Sequence, residues 1–342
     1  MADKVRAVMV GCGGISGTWL EAAKAVDDLE IVGLIDINED SAKARKEQFG
    51  LASAATGTDL AAMLDAVKPD AVFDCTVPDA HVGVTLTALG RGCHVLGEKP
   101  LADSMENARK MVEAAGKAGR IYAVIQNRRY QPEIRALRAF LEAGRIGELT
   151  TLCSDFFIGA HFGGFRDRME HVLILDMAIH TFDAARFISG ADPVAVYCKE
   201  WNPSGSWYDH DASAVAVFEM TNGLIYTYRG SWCSEGLNTS WESSWRVIGT
   251  DGSASWDGAE GFAAQTVAER TGSFISKCRD EAVEAVETEK VGGHAGILKE
   301  FTRCVRTGET PETICTDNIK SLAMVFGCIK SAQTGTRVEI GV

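Results

Sequence analysis

An apolar run suited to a strand, Val5-Arg6-Ala7-Val8-Met9-Val10, delivers the chain into Gly11-Cys12-Gly13-Gly14-Ile15-Ser16-Gly17, and helix-compatible sequence follows as far as Ala25. Few folds place a strand, a glycine-crowded turn and a helix in that order. Gly11 permits the turn, and Gly13 lets backbone approach a pyrophosphate. The anion would lie at the helix N-terminus, where unpaired amides around Gly14, Ile15 and Ser16 point outward. Ser16 takes the third glycine position of such a fingerprint and is small enough for the helix to pack closely on the strand. On its own a glycine-rich turn is weak evidence for a ligand.

The next strand, Glu30-Ile31-Val32-Gly33-Leu34-Ile35-Asp36, strengthens it by ending in a carboxylate 25 residues after Gly11. Asp36 is placed to accept from the 2′- and 3′-hydroxyls of an adenosine ribose. A 2′-phosphate would instead meet a like charge, and no arginine immediately follows. An uncompensated repulsion of ~1–3 kcal/mol favours NAD over NADP by roughly tenfold to a hundredfold.

Helix and strand patterns then alternate. Helices are expected over 41–49, 59–67, 80–89 and 104–118, and strands over 70–76, 93–97 and 121–125. Repeated strand-helix-strand units build a doubly wound parallel sheet, whose ligands gather outside the carboxyl ends of its strands. Asp36, Thr76 and Lys99 all fall at such ends. The stretch Gly97-Glu98-Lys99-Pro100-Leu101 therefore joins a nucleotide-binding half to whatever follows, with Lys99 as its candidate reaction centre.

A chain of 342 residues, 46% hydrophobic, has length for two domains with separate cores. Its 47 Asp plus Glu against 34 Lys plus Arg leave a net charge of −13, which argues against nucleic acid and anionic membranes as partners. No run of apolar residues is long enough for a membrane span. Met1-Ala2-Asp3-Lys4 lacks the segments of a secretory signal, so a cytoplasmic protein is expected. The ten cysteines include no Cys-x-x-Cys pair and read as scattered reduced thiols.

In the second half, 171–188 has helical spacing, with His180 four residues after Asp176, so that a carboxylate and an imidazole share one face about a turn apart. Such a pair is often an ordinary surface pair. The preceding loop, 159–168, has the glycine and polar content of a site-covering segment and supplies His161 and Arg166 as candidates. Strands are expected over 194–197, 212–220, 224–231, 245–249 and 252–256, forming an antiparallel-rich sheet. Helices over 295–306 and 317–334 are expected to complete this domain. Six of the seven tryptophans lie between 201 and 256. Indoles stack on sugar faces, but they also build cores and subunit interfaces. Asp209-His210-Asp211 does not make a metal site, because neighbouring strand residues point to opposite faces and no second ligand cluster accompanies them.

Thr76-x-Pro78-x-x-His81, Gly92-Cys93-His94-Val95 leading to Glu98-Lys99-Pro100, and Asn127-x-Arg129-Tyr130-x-Pro132 together resemble the glucose-fructose oxidoreductase, inositol dehydrogenase and MocA family over nearly the whole chain. The resemblance implies an N-terminal Rossmann domain (1–125) and a C-terminal α+β domain on a largely antiparallel open sheet (126–342) for substrate binding and oligomerisation. It also implies a bound nicotinamide cofactor, with Thr76, Pro78, His81, Glu98, Lys99 and Arg166 joining the glycine turn and Asp36 around it. The family's Asp-x-x-x-His faces the nicotinamide, which makes Lys99, Asp176 and His180 the catalytic set and His161 a further substrate residue. Gly164-Phe165-Arg166-Asp167 looks like the family's Gly-Trp-Arg-Asp.

Two departures stand out. Glu170-His171-Val172 replaces a glycine cluster before the aspartate, and Ala178 replaces the glycine two before the histidine, so substrate identity does not transfer. The expected activity is NAD-dependent oxidation of a secondary alcohol on a sugar, polyol or inositol-like small molecule by a homo-oligomer, a dimer or tetramer, with no metal. Three alternatives stay open: a redox-neutral glycosidase using the same groups, a dinucleotide sensor without turnover, and a structural or interaction protein using an exposed C-terminal sheet.

Overall fold

The structure, a computed structural model, describes residues 4–270 and 274–342. Met1 to Asp3, on which the expectation of no secretory signal partly rested, lie outside the described residues. The chain forms two compact units, one made of the N-terminal 130 residues together with 289–322, the other of 131–288 with 323–341.

The first unit is built on β1 (Val5–Val10), β2 (Leu29–Ile35), β3 (Ala55–Gly57), β4 (Ala71–Asp74), β5 (His94–Gly97) and β6 (Tyr122–Val124). Between them run α1 (Gly14–Ala23), α2 (Glu39–Gln48), α3 (Leu60–Val67), α4 (Pro78–Gly90) and α5 (Met105–Ala118). All strands pair in parallel, in the order β3-β2-β1-β4-β5-β6. This is the doubly wound order, and it reverses between β1 and β4. The turns after β1 and β4, carrying Gly11 and Thr76, therefore flank the crevice where such sheets take ligands. Three-residue β3 escaped the sequence because its residues carry no apolar run.

Local chemistry starts the helices. Asn38, Asp59 and Ser104 each cap an N-terminus by accepting a backbone N–H. Pro78 opens α4, where its missing donor costs nothing. The glycine turn has no such cap at α1, and its first turn holds no acidic residue.

The second unit contains α6 (Pro132–Glu142), β7 (Leu149–Phe157), α7 (Ile179–Ser189), β8 (Pro193–Trp201), β9 (Ser213–Met220), β10 (Ile225–Ser231), β11 (Ser244–Gly249), β12 (Gly252–Trp256), β13 (Phe262–Glu269), β14 (Lys277–Glu281) and β15 (Val338–Glu339). The sheet runs β14-β13-β12-β11-β7-β10-β9-β8-β15, antiparallel except for the β7–β10 pair. Phe182 of α7 meets Phe218, Tyr226 and Tyr228 at ring-centroid separations of 5.0, 6.4 and 5.2 Å, which lays the helix on the sheet.

Two helices remain, α8 (His294–Thr307) and α9 (Cys315–Thr334). Sequence alone assigned 295–306 to the C-terminal domain, but α8 belongs to the first unit. Ile297, Leu298 and Phe301 form one apolar stripe buried in the same core as Trp19 and Phe73, with the Phe73 and Phe301 rings 6.0 Å apart. Polar bonds fix the return: Tyr130 donates to Glu300, Arg129 Nη2 pairs with Asp317 at 2.8 Å, and Lys290 reaches Glu300 and Glu312 at 2.8 and 2.7 Å. Amphipathicity showed that 295–306 is a helix; it could not show which core that stripe enters.

Candidate active site

Gly11 has φ +86°, and a Cβ there would lie 2.7 Å from the carbonyl carbon and oxygen of Cys75. Only glycine fits between the ends of β1 and β4. Gly13 and Gly14 differ, because a Cβ at either meets no protein atom within 4 Å. Their bareness leaves backbone amides open at an uncapped helix N-terminus, the arrangement that takes a phosphate. Ile15 is exposed beside them, whereas Ser16 is buried and its hydroxyl donates to the Gly13 carbonyl at 2.6 Å. Ser16 thus shapes the turn from within.

Asp36 is wired into this loop. Oδ2 accepts from the Cys12 amide at 2.7 Å and Oδ1 from the Asn38 amide at 2.9 Å, leaving each oxygen a further lone pair. Arg45 of α2 completes the frame: its guanidinium donates to the carbonyls of Cys12 and Gly13 at 3.3 and 2.8 Å. Burial and the Asp36 charge push the Cys12 thiol up to about 12, against the opposing pull of Arg45, so the thiol stays protonated and unreactive. No local pattern marks Arg45, which sits in a charged helix and reaches the loop only through the fold.

At the ends of β4 and β5 the predicted residues divide into outward and inward ones. Asp74, fully buried, accepts from the Thr76 hydroxyl at 2.6 Å and from His81 Nδ1 at 2.9 Å. His81 is buried too, so it braces the turn that presents Thr76 and Pro78. Glu98 is likewise turned inward, accepting the Trp19 indole N–H at 2.7 Å and the Lys99 amide at 3.1 Å. Lys99 follows directly, half-buried, at a cis bond to Pro100.

In the second unit, the helix expected over 171–188 begins as a π-helical stretch, Leu173–Ala178, before α7. Asp176 lies in this wider winding, so its four-residue spacing to His180 is not one α-helical turn. Such insertions recur at functional sites. Both side chains are half-buried. Arg166 donates to Asp176 from Nε at 2.6 Å, and its guanidinium carbon lies 5.0 Å from the Phe162 ring and 4.8 Å from the Phe165 ring. His161 stacks on Trp207 at 3.7 Å and bonds Glu235 at 2.8 Å. The Tyr208 hydroxyl donates to the Ala160 carbonyl at 2.6 Å, and burial raises its pKa to about 12, with Asp167 and Asp176 contributing. The tryptophan cluster splits: Trp232, Trp245 and Trp256 are core, while Trp201 and Trp241 are exposed.

A Rossmann unit with an open glycine cradle, joined in one chain to an α+β unit in which Arg166 pairs with Asp176, has the architecture of a two-domain dinucleotide-binding protein. Residues 5–126 match the model described as oxidoreductase family, NAD-binding Rossmann fold, and residues 134–255 match the GFO/IDH/MocA C-terminal domain. The chain belongs to the GFO/IDH/MocA oxidoreductase family.

Relatives include D-glucoside 3-dehydrogenase of Escherichia coli (strain K12), 28% identical, covering 92% of this chain and 91% of that one. Myo-inositol 2-dehydrogenase of Thermotoga maritima is 25% identical over 98% of both. The fold matches an oxidoreductase from Agrobacterium radiobacter, solved in complex with NAD+, L-tartaric acid and magnesium, with TM-score 0.86, 23% identity and 99% coverage of both chains. Among the described residues, no helix is long and apolar enough to cross a membrane.

Proposed function

We propose that this protein oxidises a secondary alcohol of a sugar, polyol or inositol-like substrate, with NAD preferred over NADP. The open cradle at Gly13 and Gly14, closed from behind by Asp36 and Arg45, is the observation that carries it. The bound nicotinamide supplies the hydride acceptor.

The protein's own groups handle the proton and the charge. His180 takes the hydroxyl proton, since an imidazole exchanges protons near neutral pH. Arg166 fixes the Asp176 carboxylate, which holds the substrate or orients the imidazole. Lys99 donates to the reacting oxygen and favours its developing negative charge. His161 is a further substrate contact, and Thr76 and Pro78 border the cofactor.

The relatives named for glucoside and inositol dehydrogenation both act, by those names, on ring-bearing alcohols, which supports the substrate class. The second unit, 131–288 with 323–341, would carry the substrate and subunit contacts expected of 126–342, in a cytoplasmic homo-oligomer, dimer or tetramer. The exposed face with Tyr197, Trp201 and Val217 supports the last point.

The test is NADH formation by purified protein with inositols, aldoses and glycosides, repeated with NADP. His180→Ala should abolish turnover and leave NAD binding nearly intact, and Lys99→Ala should abolish it as well. Full activity in either variant overturns the assignment.

A further inference from the structure

The loop 158–168 of the second unit carries both His161 and Arg166, with Gly163 and Gly164 between them at φ +70° and +72°. A Cβ at either glycine would meet nothing within 4 Å, so neither is packed against a neighbour. Both ends of the loop are gripped instead by one short segment. Trp207 donates from Nε1 to the Ala160 carbonyl at 3.0 Å, and the Tyr208 hydroxyl donates to the same oxygen at 2.6 Å. Those bonds use both lone pairs of that carbonyl. At the other end, the Asp209 amide donates to the Asp167 carbonyl at 2.7 Å.

Tyr208 is the fixed member of this segment. It is 3% exposed, and its ring lies nearly parallel to that of buried Trp232, with 9° between the planes and the centroids 6.4 Å apart. Asn202 donates from Nδ2 to the Tyr208 carbonyl at 2.8 Å, and the Tyr208 amide donates to the Ser206 hydroxyl at 3.1 Å. A buried side chain whose backbone is bonded on both sides loses little further freedom in holding a loop. Arg166 is where that grip meets the site. Its Nε donates to Asp176 Oδ2 at 2.6 Å, and the carbonyl of the next residue is the one that Asp209 holds. A charged hydrogen bond this short is directional and weakens steeply as its angle falls.

We propose that Tyr208 is a positioning residue: through the Ala160 carbonyl it fixes the loop that sets Arg166 against Asp176. The inference rests on the dehydrogenase function proposed above and adds a residue that acts on the reaction only through Arg166.

The test is a double-mutant cycle on kcat, using whichever inositol, aldose or glycoside gives the fastest NADH formation, and pairing Tyr208→Phe with Arg166→Ala. Phenylalanine keeps the ring on Trp232 and removes only the hydroxyl. Because the Trp207 bond remains, Tyr208→Phe should lower kcat about tenfold, with KM for the alcohol within about twofold and NAD affinity unchanged. In the Arg166→Ala background the same replacement should change kcat by less than about twofold. Trp207→Phe removes the other donor to Ala160 and keeps a ring on His161, so it supplies the same cycle should Tyr208→Phe not fold. In either variant hydrogen exchange should quicken over 158–168 and stay constant in the first unit. An unchanged kcat in Tyr208→Phe overturns the proposal, and so does an equal loss in both backgrounds, which a merely structural role would produce. A wild type that forms no NADH from any substrate removes the dehydrogenase function and the proposal with it, whereas a failed cycle in an active enzyme removes the proposal alone.

Discussion

The Asp36 carboxylate accepts the Cys12 amide at 2.7 Å, so the acid at the end of β2 is part of the glycine turn that follows β1. With Arg45 bonded to the other side of that turn, a negative and a positive group frame the same backbone. Neutralising the first leaves the second. Asp36→Asn should weaken NAD roughly tenfold to a hundredfold, the range of ~1–3 kcal/mol for a charged contact, and should weaken NADP much less. Titrations of both dinucleotides by tryptophan fluorescence measure the two constants. An unchanged NAD:NADP ratio would show that Asp36 only shapes the loop.

The glycines of the turn should separate folding from binding. Gly11→Ala places a Cβ 2.7 Å from Cys75 at a positive φ, and the backbone strain alone costs about 1–3 kcal/mol. The melting temperature of the first unit should fall. Gly13→Ala meets no protein atom, so the fold should keep its melting temperature while dinucleotide affinity drops. Calorimetry with and without NAD reads both effects, and a Gly13→Ala protein that binds NAD normally would place the pyrophosphate elsewhere.

The parallel sheet was legible because its strands are continuous apolar runs between helical patterns, and the glycine turn and Asp36 because their spacing is local. Arg45 and Asp74 were not legible: each acts on a backbone turn distant in sequence, through contacts that only packing creates. The same holds for α8, whose stripe of Ile297, Leu298 and Phe301 fits either domain on periodicity alone. Between Leu173 and Ala178 the sequence looks α-helical, since apolar spacing does not distinguish a π insertion from a regular turn.

Arg166 is half of a partly buried ion pair, and its loss removes the Nε bond that helps orient the Asp176 carboxylate. Misplacement of a positioning group by about 1 Å costs on the order of a hundredfold in rate. Arg166→Ala should therefore lower kcat by about that factor, with a smaller effect on NAD affinity. Arg166→Lys should recover part of it, because one ammonium keeps the charge but loses the directional Nε donor. A kcat unchanged in Arg166→Ala would remove Asp176 orientation from the mechanism.

His171 adopts a left-handed backbone, φ +54°. Its Nδ1 donates to Glu200 Oε2 at 2.7 Å, while Glu200 is buried and its Oε1 has no hydrogen-bond partner among the described residues. This ion pair holds the backbone just before the π-helical turn that carries Asp176. The hydrogen bond to Glu200, helped by the charges of Glu200, Glu170 and Asp211, raises the His171 pKa against the opposing effect of burial. A raised folded value means that the stabilisation is fully present below the unfolded histidine pKa of about 6.5 and is lost as pH rises through the folded one. Melting of the second unit should accordingly shift downward as pH rises through that window. Glu200→Gln should flatten the dependence, and so should His171→Gly, which keeps the left-handed backbone accessible. His171→Ala should be less stable than His171→Gly by roughly 1 kcal/mol, since only the glycine adopts that backbone without penalty. Equal pH slopes in wild type and Glu200→Gln would show that the pair does not govern the helix start.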